Sequence, residues 1–379
     1  MNILVLCKNV PYVFRKTDDF RLHLILEELK KNHTVKVLCL SKTDIKEYSE
    51  KYNTDVVWMK NSINKESAMK SFLFKGKSFF LSSFYSSSVR NEIVGAVREF
   101  KPDLILYNNV GFYDFISRFS NVKRIFSVDN CLYMYYARLS SVYEFIRRKM
   151  LLTESKRIMV KEKAAFVYSD AIWFGAFSDM NNVNSQLQLI TPGYYLPGYT
   201  EEFEYPALKN NHHVLIYGDF KTRAGRLMYK YYIANIHGSM TKKYSDYKVY
   251  VAGNLNQNMY SDDSVEFAEE LTKEILDDVR IYFSCYKFRT NLFYPEITCA
   301  GHGIPICGCD KGIGFVNVKD KKEYCATVFR RRDLKNYFLE VIDNDNVLEK
   351  CRKNSYNYVK ENFDKEKFEK TIQLSLEKI

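Results

Sequence analysis

Short apolar runs alternate with longer amphipathic segments along this chain, and the alternation stops once and restarts near residue 195. Runs that are apolar throughout are typical of strands buried on both faces, and helices between successive strands make a sheet parallel. In the first half the predicted strands cover residues 2–7, 33–40, 55–59, 104–107 and 124–128. In the second half they cover residues 214–217, 248–252, 279–284 and 304–307. The sequence therefore predicts an α/β chain with two separate, doubly wound parallel sheets.

The chain is long enough for two domains of ordinary size. It has 379 residues, of which 46% are apolar, so each half can bury a core of its own. A turn-rich connection around Pro192 separates the halves, and residues 346–379 contain neither glycine nor proline that would break a helix. We expect a first Rossmann-like domain at 1–190, a second at 191–350, and a C-terminal helix at 351–379 that crosses back to the first domain.

The net charge, the cysteines and the apolar runs indicate the kinds of partner and the cellular compartment. The formal net charge of +11 favours anionic partners, which are phosphorylated small molecules, an anionic membrane face or nucleic acid. The nine cysteines are an odd number without regular spacing, which indicates a reducing compartment. They also lack the spacing of a zinc site, so we expect them to be buried free thiols. No apolar run approaches the roughly 20 residues of a membrane span, and the first residues resemble a strand rather than a signal peptide. We therefore expect a cytoplasmic location.

A glycine and three cations follow the first predicted strand of the second half. Gly218 comes at the end of this strand, and Lys221, Arg223 and Arg226 stand near the start of the next helix. Glycine lets a ligand approach the backbone, while cations and exposed helix amides attract a diphosphate. The alternative is a turn glycine beside a solvated helix face. Because ligands of such folds bind at the carboxyl ends of strands, the pattern favours a diphosphate clamp.

Two further junctions between a strand and a loop carry candidate ligand-binding residues. Gly253 and Asn254 follow the next strand, at a position that any tight turn could also use. Residues 286–307, YKFRTNLFYPEITCAGHGIPIC, gather two cations, an acid and a glycine-rich turn. The candidates in this stretch are Lys287, Arg289, Glu296, Gly301 and His302.

Each group in this stretch has a ligand-binding role and an ordinary alternative. The carboxylate of Glu296 can accept hydrogen bonds from two ribose hydroxyls, with the cations opposite phosphate. The alternative for Glu296 is an acid at a helix N-terminus, which interacts favourably with the helix dipole. His302 can contact the donor phosphate or simply fill the turn. Because one loop gathers all these groups, the stretch favours a ligand site.

Several segments resemble a known family. The segments at 161–173 and 178–179 are similar to the end of the first domain of group 1 glycosyltransferases, and Ile190-Thr191-Pro192-Gly193 resembles their interdomain turn. The run VLIYGDF at 214–220 resembles the strand that opens their nucleotide domain. The run DDVRIYFSCYK at 277–287, followed by Glu296, Gly301 and Pro305, resembles their donor-binding segment. The chain therefore resembles a GT-B-type, group 1 glycosyltransferase of bacterial envelope polysaccharide synthesis.

The resemblance implies both an architecture and a reaction. In the GT-B architecture two Rossmann-like domains face each other across a cleft. The implied reaction moves a sugar from a nucleotide-sugar donor to a glycan or lipid-linked saccharide, as in lipopolysaccharide or capsule synthesis, with no cofactor besides the donor and no metal. Asp343-Asn344-Asp345 has the D-x-D form of some metal sites, but no predicted strand precedes it, so a solvated turn is expected. The donor sugar, the acceptor and the stereochemistry remain open.

An inverting reaction needs a general base from the first domain. Asp129, which follows the run RIFSV, is the first candidate, and Asp18 in the loop after the first strand is the second. Each can equally be a helix N-cap, which is the commoner role of an aspartate between a strand and a helix.

Two stretches of the first half concern a membrane partner. Residues 72–85 mix six aromatic residues with Lys75 and Lys77, and residues 133–163 are predicted to form one long basic helix. Aromatic residues beside cations suit an anionic membrane face, where a lipid-linked acceptor would lie. The alternative is a basic, solvated helix over an ordinary core.

Other function classes stay open beside the transferase. A protein that binds nucleic acid or another polyanion without catalysis would use the positive charge, but no nucleic-acid-binding motif is present and the cations are spread along the chain. We therefore expect no nucleic acid among the partners. A sugar-nucleotide epimerase of the same two-domain build would need several acids and a histidine pair, and only scattered ones occur.

Overall fold

The computed structural model divides into two compact units. It describes residues 1–11, 17–42, 45–60, 65–84, 86–119, 121–201, 203–286, 294–309, 312–316 and 321–379, and only the backbone at 17–19, 65 and 84. Unit 1 comprises Met1–Gly198 and Phe368–Ile379, and unit 2 comprises Tyr199–Lys367. Each unit is a parallel sheet with helices between its strands, so the predicted α/β class with two parallel sheets is confirmed.

Unit 1 is built on a seven-stranded sheet in the order β3-β2-β1-β4-β5-β6-β7. Its strands are β1 Asn2–Cys7, β2 Thr34–Cys39, β3 Asp55–Trp58, β4 Leu104–Tyr107, β5 Lys123–Val128, β6 Ala171–Phe174 and β7 Gly193–Tyr195. Every neighbouring pair is parallel, and β1 pairs Ile3 with Val35 of β2 and with Leu104 of β4. Ile3 to Leu6 are fully buried because helices cover both faces of a sheet of this kind.

The helices of unit 1 fill the connections between these strands. They are α1 Thr17–Lys30, α2 Ile45–Tyr52, α3 Lys65–Phe74, α4 Phe79–Phe84, α5 Ser87–Phe100, α6 Tyr113–Ile116, α7 Leu132–Leu139, α8 Phe145–Tyr168 and α9 Phe177–Leu187. The predicted single helix over 133–163 is wrong, because α7 and α8 are separated by a 3₁₀ turn at Ser140–Val142. The Glu162 carboxylate accepts hydrogen bonds of 2.7 and 2.8 Å from the amides of Leu132 and Tyr133, so α7 folds back onto α8.

Unit 2 is built on a six-stranded sheet in the order β10-β9-β8-β11-β12-β13, again with all neighbours parallel. Its strands are β8 His213–Asp219, β9 Lys248–Asn254, β10 Val265–Ala268, β11 Ile281–Ser284, β12 Ile306–Cys309 and β13 Ala326–Val328. Its helices are α10 Arg223–Tyr232, α11 Gly238–Lys243, α12 Lys273–Asp278, α13 Tyr294–Gly301, α14 Leu334–Val341 and α15 Asp345–Asn362.

The C-terminal segment is not one uninterrupted helix. Helix α15 ends at Asn362 and a second helix, α16, covers Lys365–Glu377. The break is a capping site, because Asp364 Oδ1 accepts a hydrogen bond of 2.9 Å from the amide of Lys367. Within unit 1, the indole of Trp173 donates a hydrogen bond of 2.6 Å to Ser375 Oγ, which fastens the end of α16 to β6.

The nine cysteines are all buried and none forms a disulfide, as the sequence predicts. No helix in the described part of the chain has the length and apolarity that a membrane span requires.

Candidate functional site

The strand order of the unit 2 sheet reverses between β8 and β11. Strands β9 and β10 lie on one side of β8, and β11, β12 and β13 lie on the other. In open parallel sheets ligands bind outside the carboxyl ends of the strands at such a reversal. Asp219 ends β8 and Ser284 ends β11, so the residues around these two strand ends form the candidate site.

Two of the predicted glycines lie side by side at this edge. The register of β8 and β9 pairs Gly218 with Gly253 and Asp219 with Asn254. Gly253 has a φ of +114°, and a Cβ on it would lie 2.4 Å from the carbonyl oxygen of Gly218. The Asn254 side chain donates a hydrogen bond of 3.0 Å to Asp219 Oδ1. Glycine is required at position 253 by its backbone conformation and by this close approach.

The hydroxyl of Tyr286 lies against Gly218. A Cβ on Gly218 would lie 2.4 Å from Tyr286 Oη. Tyr286 follows β11, so the strand-order reversal brings it to the end of β8. The space through which a ligand was expected to approach Gly218 therefore contains a tyrosine hydroxyl, and no pattern in the sequence singles this tyrosine out.

Helix α10 begins directly behind this edge of the sheet. Its N-cap is Thr222, whose hydroxyl accepts a hydrogen bond of 3.2 Å from the Gly225 amide and donates one of 2.6 Å to the Asp219 carbonyl. A Cβ on Gly225 would lie 2.1 Å from that same carbonyl oxygen. Glycine at this position therefore lets the helix start close to the end of β8.

The three predicted cations of the clamp lie at the start of α10. Lys221 and Arg226 are exposed, and Arg223 is half-buried. The guanidinium of Arg226 donates a hydrogen bond of 2.6 Å to the carbonyl of Lys221, which holds the loop before the helix. The structure thus places these cations in the first turn of α10 and in the loop before it, while their contact with a diphosphate stays a prediction.

Glu296 is fully buried in the first turn of α13. Its Oε2 accepts hydrogen bonds of 2.9 and 3.4 Å from the amides of Gly314 and Phe315, and Ser284 Oγ lies 3.4 Å from its Oε1. The carboxylate thus joins the end of β11 to the segment 312–316. Contact with a ribose would require this segment to move, and the ribose role stays a prediction.

The residues at the end of α13 bond to backbone groups of the protein. The His302 amide and Nδ1 lie 3.0 and 2.9 Å from the carbonyl oxygen of Thr298, and the imidazole is buried. The Gly301 carbonyl accepts a hydrogen bond of 2.9 Å from the amide of Glu204. Contact of either residue with a donor remains a prediction. Lys287 and Arg289 lie outside the described residues.

In unit 1, Asp129 follows β5 and forms an ion pair with Arg21. The Nη1 of Arg21 lies 2.5 Å from Asp129 Oδ1 and donates a hydrogen bond of 2.9 Å to Ser127 Oγ. Its Nη2 donates one of 2.8 Å to the Trp173 carbonyl. The buried guanidinium therefore holds the carboxylate at the end of β5. The side chain of Asp18, the second candidate base, lies outside the described residues.

Comparison with protein-family models finds no match, and comparison with curated protein sequences finds none either. Solved structures match along the whole chain. Sucrose-phosphate synthase from Thermosynechococcus elongatus matches with a TM-score of 0.71 at 12% identity, covering 100% of this chain and 98% of that one. HepE from Anabaena, in complex with UDP-glucose, matches with a TM-score of 0.69 at 11% identity over 100% of both chains. The lipopolysaccharide outer core galactosyltransferase WaaB matches with a TM-score of 0.63 at 10% identity over 99% of both chains.

This chain has the GT-B fold. Identities near 10% establish a shared fold. At the level of the fold, the resemblance found in the sequence is confirmed. Of the predicted donor-binding residues, Gly218, Gly253 and Asn254 lie at the ends of the paired strands β8 and β9, beside the strand-order reversal. The cations Lys221, Arg223 and Arg226 follow β8, and Glu296 is fully buried in α13.

Two buried carboxylates in unit 1 of this GT-B fold were not predicted. Glu162 binds the first amides of α7, and Asp179 Oδ2 accepts a hydrogen bond of 2.9 Å from the Cys131 amide, just before the same helix. Burial raises the pKa of Glu162 to about 8 and that of Asp179 to about 6. The sequence predicts that both residues are acidic side chains on the exposed faces of helices. Their burial could not be predicted, because their partners lie about 30 and 48 residues away.

The two aspartates of the D-x-D sequence have protein partners. Asp343 Oδ2 lies 2.6 Å from Lys243 Nζ, and Asp345 Oδ1 lies 2.5 Å from Arg280 Nη2. Asp345 is the first residue of α15, after the Asn344 N-cap. Among the described residues, no group of three or more His, Cys, Asp or Glu side chains is placed to hold a metal ion.

Proposed function

We propose that this protein is a glycosyltransferase that moves a sugar from a nucleotide-sugar donor to a glycan or lipid-linked saccharide, without a bound metal ion. The observation that carries the proposal is the GT-B fold over the whole chain, with cations and helix amides at the strand-order reversal of unit 2. HepE is described with UDP-glucose and with UDP and glucose, which supports a donor of this class.

The chemistry to be assisted is the departure of a nucleoside diphosphate from the anomeric carbon. Negative charge builds on the leaving phosphate, so preorganised cations and amides supply the largest stabilising contribution. In the proposal, Lys221 and Arg223 contact the diphosphate, and the first amides of α10 add partial positive charge. Arg226 holds the loop through the Lys221 carbonyl. The sequence adds Lys287 and Arg289 to this clamp as further cations.

The remaining donor-site residues have supporting roles in the proposal. Gly253 lets β9 lie close to the carbonyl of Gly218, and Asn254 holds Asp219 in place, so both residues support the strand ends from which the clamp begins. Glu296 positions the segment 312–316 beside the end of β11, and Gly301 and His302 form the turn behind it. We keep the ribose contact of Glu296 as the alternative to this positioning role.

For an inverting reaction we propose Asp129 as the general base, with Asp18 as the alternative. The Asp129 side chain is 13% exposed, so part of it reaches solvent while Arg21 fixes its orientation. A positioned, accessible carboxylate is what removal of a proton from an acceptor hydroxyl requires.

A membrane-bound acceptor fits the surface of unit 1. Phe145 and Ile146, at the start of α8, are 72% and 71% exposed, and the exposed cations Arg147, Arg148 and Lys149 follow them. Exposed apolar side chains beside cations are typical of segments that lie in an anionic membrane interface, where each nearby cation contributes about 1 kcal/mol. We propose that the protein works at the inner face of the cell membrane in envelope polysaccharide synthesis.

The clamp is tested by isothermal titration with nucleoside diphosphates. Arg223→Gln should weaken binding of the diphosphate about tenfold or more, because a cation in contact with phosphate is removed. Arg332→Gln, which removes an exposed arginine elsewhere in unit 2, is the matched control and should leave the affinity unchanged. Equal affinity in both variants would remove Arg223 from the clamp.

Turnover separates the transferase from the other classes. Release of a nucleoside diphosphate from a matched nucleotide sugar should require a saccharide acceptor and should survive EDTA. An epimerase would interconvert donor sugars without an acceptor, and a polyanion-binding protein would release no diphosphate. Loss of turnover on chelation would contradict the metal-independent reaction.

A further inference from the structure

Unit 1 contains a cavity with a mixed polar and apolar lining. Its described lining residues do not come from the strand ends that follow β1, β5 or β6. Its volume is about 800 Å³, and helices α3, α4, α5, α6 and α8 surround it together with the connection between α3 and α4. This volume lies within the range of about 300–1,000 Å³ that is common for small-molecule sites. The cavity is therefore large enough for a ligand and separate from the residues assigned above.

Positive charge dominates the lining. Five cationic side chains contribute to it, which are Lys77, Arg90, Arg118, Arg157 and Lys161. The carboxylate among the described lining residues is Asp114, whose Oδ1 lies 2.8 Å from Lys161 Nζ. Within the described part of the chain, Lys77, Arg90 and Arg118 form no ion pair. A cavity with this excess of cations favours an anionic occupant.

One of the guanidinium groups is held in place before any ligand arrives. The Nη1 of Arg157 donates hydrogen bonds of 2.7 and 3.0 Å to the carbonyls of Phe72 and Lys77. Its guanidinium carbon lies 4.4 Å from the centre of the Phe72 ring. These contacts fix the plane of the group and occupy one of its nitrogens, so further N–H donors can serve a ligand.

The other polar groups of the lining are hydroxyls. Five serines contribute, which are Ser67, Ser71, Ser78, Ser82 and Ser117. Ser78 is already used, since its hydroxyl donates a hydrogen bond of 2.6 Å to Glu154 Oε1. The same carboxylate accepts hydrogen bonds of 2.9 and 2.7 Å from the amides of Phe79 and Phe80. The Glu154 carboxylate therefore already occupies the N-terminus of α4. The ligand charge must therefore be met by arginine and lysine side chains with serine hydroxyls.

This set of groups matches phosphate. Guanidinium groups bind phosphate oxygens through paired hydrogen bonds, and hydroxyls donate to the remaining oxygens. We infer that this cavity binds the phosphate group of an anionic ligand, at a site independent of the nucleotide clamp in unit 2.

Exposed apolar side chains beside the cavity indicate a lipid as the source of the phosphate. Val160, which lines the cavity, is 65% exposed. Leu73 and Phe74, which follow the lining residue Ser71 on α3, are 59% and 83% exposed. A headgroup in the cavity would place its acyl chains against such side chains, whereas a free phosphate ester would leave them in water.

The test uses the full chain and two matched double variants. Arg90→Gln with Arg118→Gln removes two exposed cations of the cavity, and Lys46→Gln with Arg98→Gln removes two exposed cations of unit 1 that do not line it. Each variant and the unmodified protein are sedimented with phosphatidylcholine vesicles, with and without phosphatidylglycerol, and titrated with glycerol phosphate. Circular dichroism confirms the fold, and titration with UDP checks unit 2.

We expect the cavity variant to lose about tenfold or more of its affinity for phosphatidylglycerol vesicles, and the control variant to keep its affinity within about twofold. A selective loss of glycerol phosphate binding, with vesicle binding unchanged, would assign the cavity to a free phosphate ester. Equal losses in both variants, or no loss in either, would overturn the inference. UDP binding should be the same in all three proteins, so a failure of the nucleotide clamp would be seen separately.

Discussion

Replacement of Gly225 by alanine tests whether the start of α10 is packed against the end of β8. Alanine is normally about 1 kcal/mol better than glycine inside a helix. At position 225, however, the new Cβ would lie 2.1 Å from the carbonyl oxygen of Asp219 and 2.7 Å from its carbon. Both atoms belong to the backbone, so no side chain can rotate away to relieve the contact.

The magnitude follows from the size of the displacement. Ordinary contact distances start near 3.5 Å, so the helix and the strand end must separate by roughly 1 Å or more. Added volume in a well-packed interior typically costs about 1–3 kcal/mol. The shift would also weaken the hydrogen bond of 2.6 Å from Thr222 Oγ1 to the same carbonyl. Gly225→Ala should therefore destabilise unit 2 by about 2 kcal/mol and displace the cations beside it.

The matched control is Gly238→Ala at the start of α11. Gly238 is also helical, with a φ of −64°, and a Cβ on it would meet no atom within 4 Å. This variant should gain up to about 1 kcal/mol. Urea denaturation followed by circular dichroism measures both stabilities, and titration with a nucleoside diphosphate measures the clamp. If Gly225→Ala is as stable as Gly238→Ala and binds the ligand equally well, the close approach described here is wrong.

Two further predictions concern charges in unit 1. Because burial raises the pKa of Glu162 from 4.5 to about 8, its proton stabilises the fold below pH 4.5 and this contribution is lost as the pH rises to about 8. The contribution of Glu162 to the free energy of unfolding should fall by about 1.4 kcal/mol for each pH unit between pH 5 and 8. Glu162→Gln should remove this contribution and flatten the pH dependence measured by denaturation, whereas an unchanged dependence would contradict the assignment. Arg21→Met should cost about 3–5 kcal/mol because it removes the buried guanidinium that pairs with the Asp129 carboxylate, and the added change Asp129→Asn should recover part of this loss. A double-mutant cycle without coupling would show that the ion pair contributes nothing.

The sheets could be predicted from the sequence because their central strands are apolar on both faces. Residues 2–7 and 104–107 are matched by β1 and β4 without any shift. The edge strands β7, β10 and β13 were missed, since they have three or four residues and are partly exposed or follow polar segments. The interior strand β6 was missed as well, although its four residues are apolar and buried. The break between α7 and α8 was missed because the contact that folds α7 back onto α8, from the first amides of α7 to the Glu162 carboxylate, joins residues about 30 positions apart. The break before α16 has a local cap, Asp364, whose amide partner comes three residues later.

The candidate site could be predicted only where its residues follow a strand in sequence. Gly218 and Gly253 were found because both end strands, and the register then placed them side by side. Tyr286 and Gly225 were not found, because their importance lies in contacts with the end of β8 across the fold. The burial of Glu296 could not be predicted either, since the amides that bind it come about 18 residues later.

Glu296 can act by positioning the segment 312–316 or by direct contact with a ribose. Two variants, each titrated with two ligands, distinguish these two roles. Glu296→Ala leaves the half-buried amide of Gly314 and the buried amide of Phe315 without this acceptor, at about 1–3 kcal/mol for each, whereas Glu296→Gln keeps one oxygen for them. A positioning role predicts that Ala lowers stability and weakens UDP and pyrophosphate alike, with Gln in between. A ribose contact predicts that both variants keep their affinity for pyrophosphate, which has no ribose, and lose affinity for UDP at unchanged stability. The structure favours the first outcome, because Glu296 is fully buried and its Oε2 already accepts hydrogen bonds from the amides of Gly314 and Phe315.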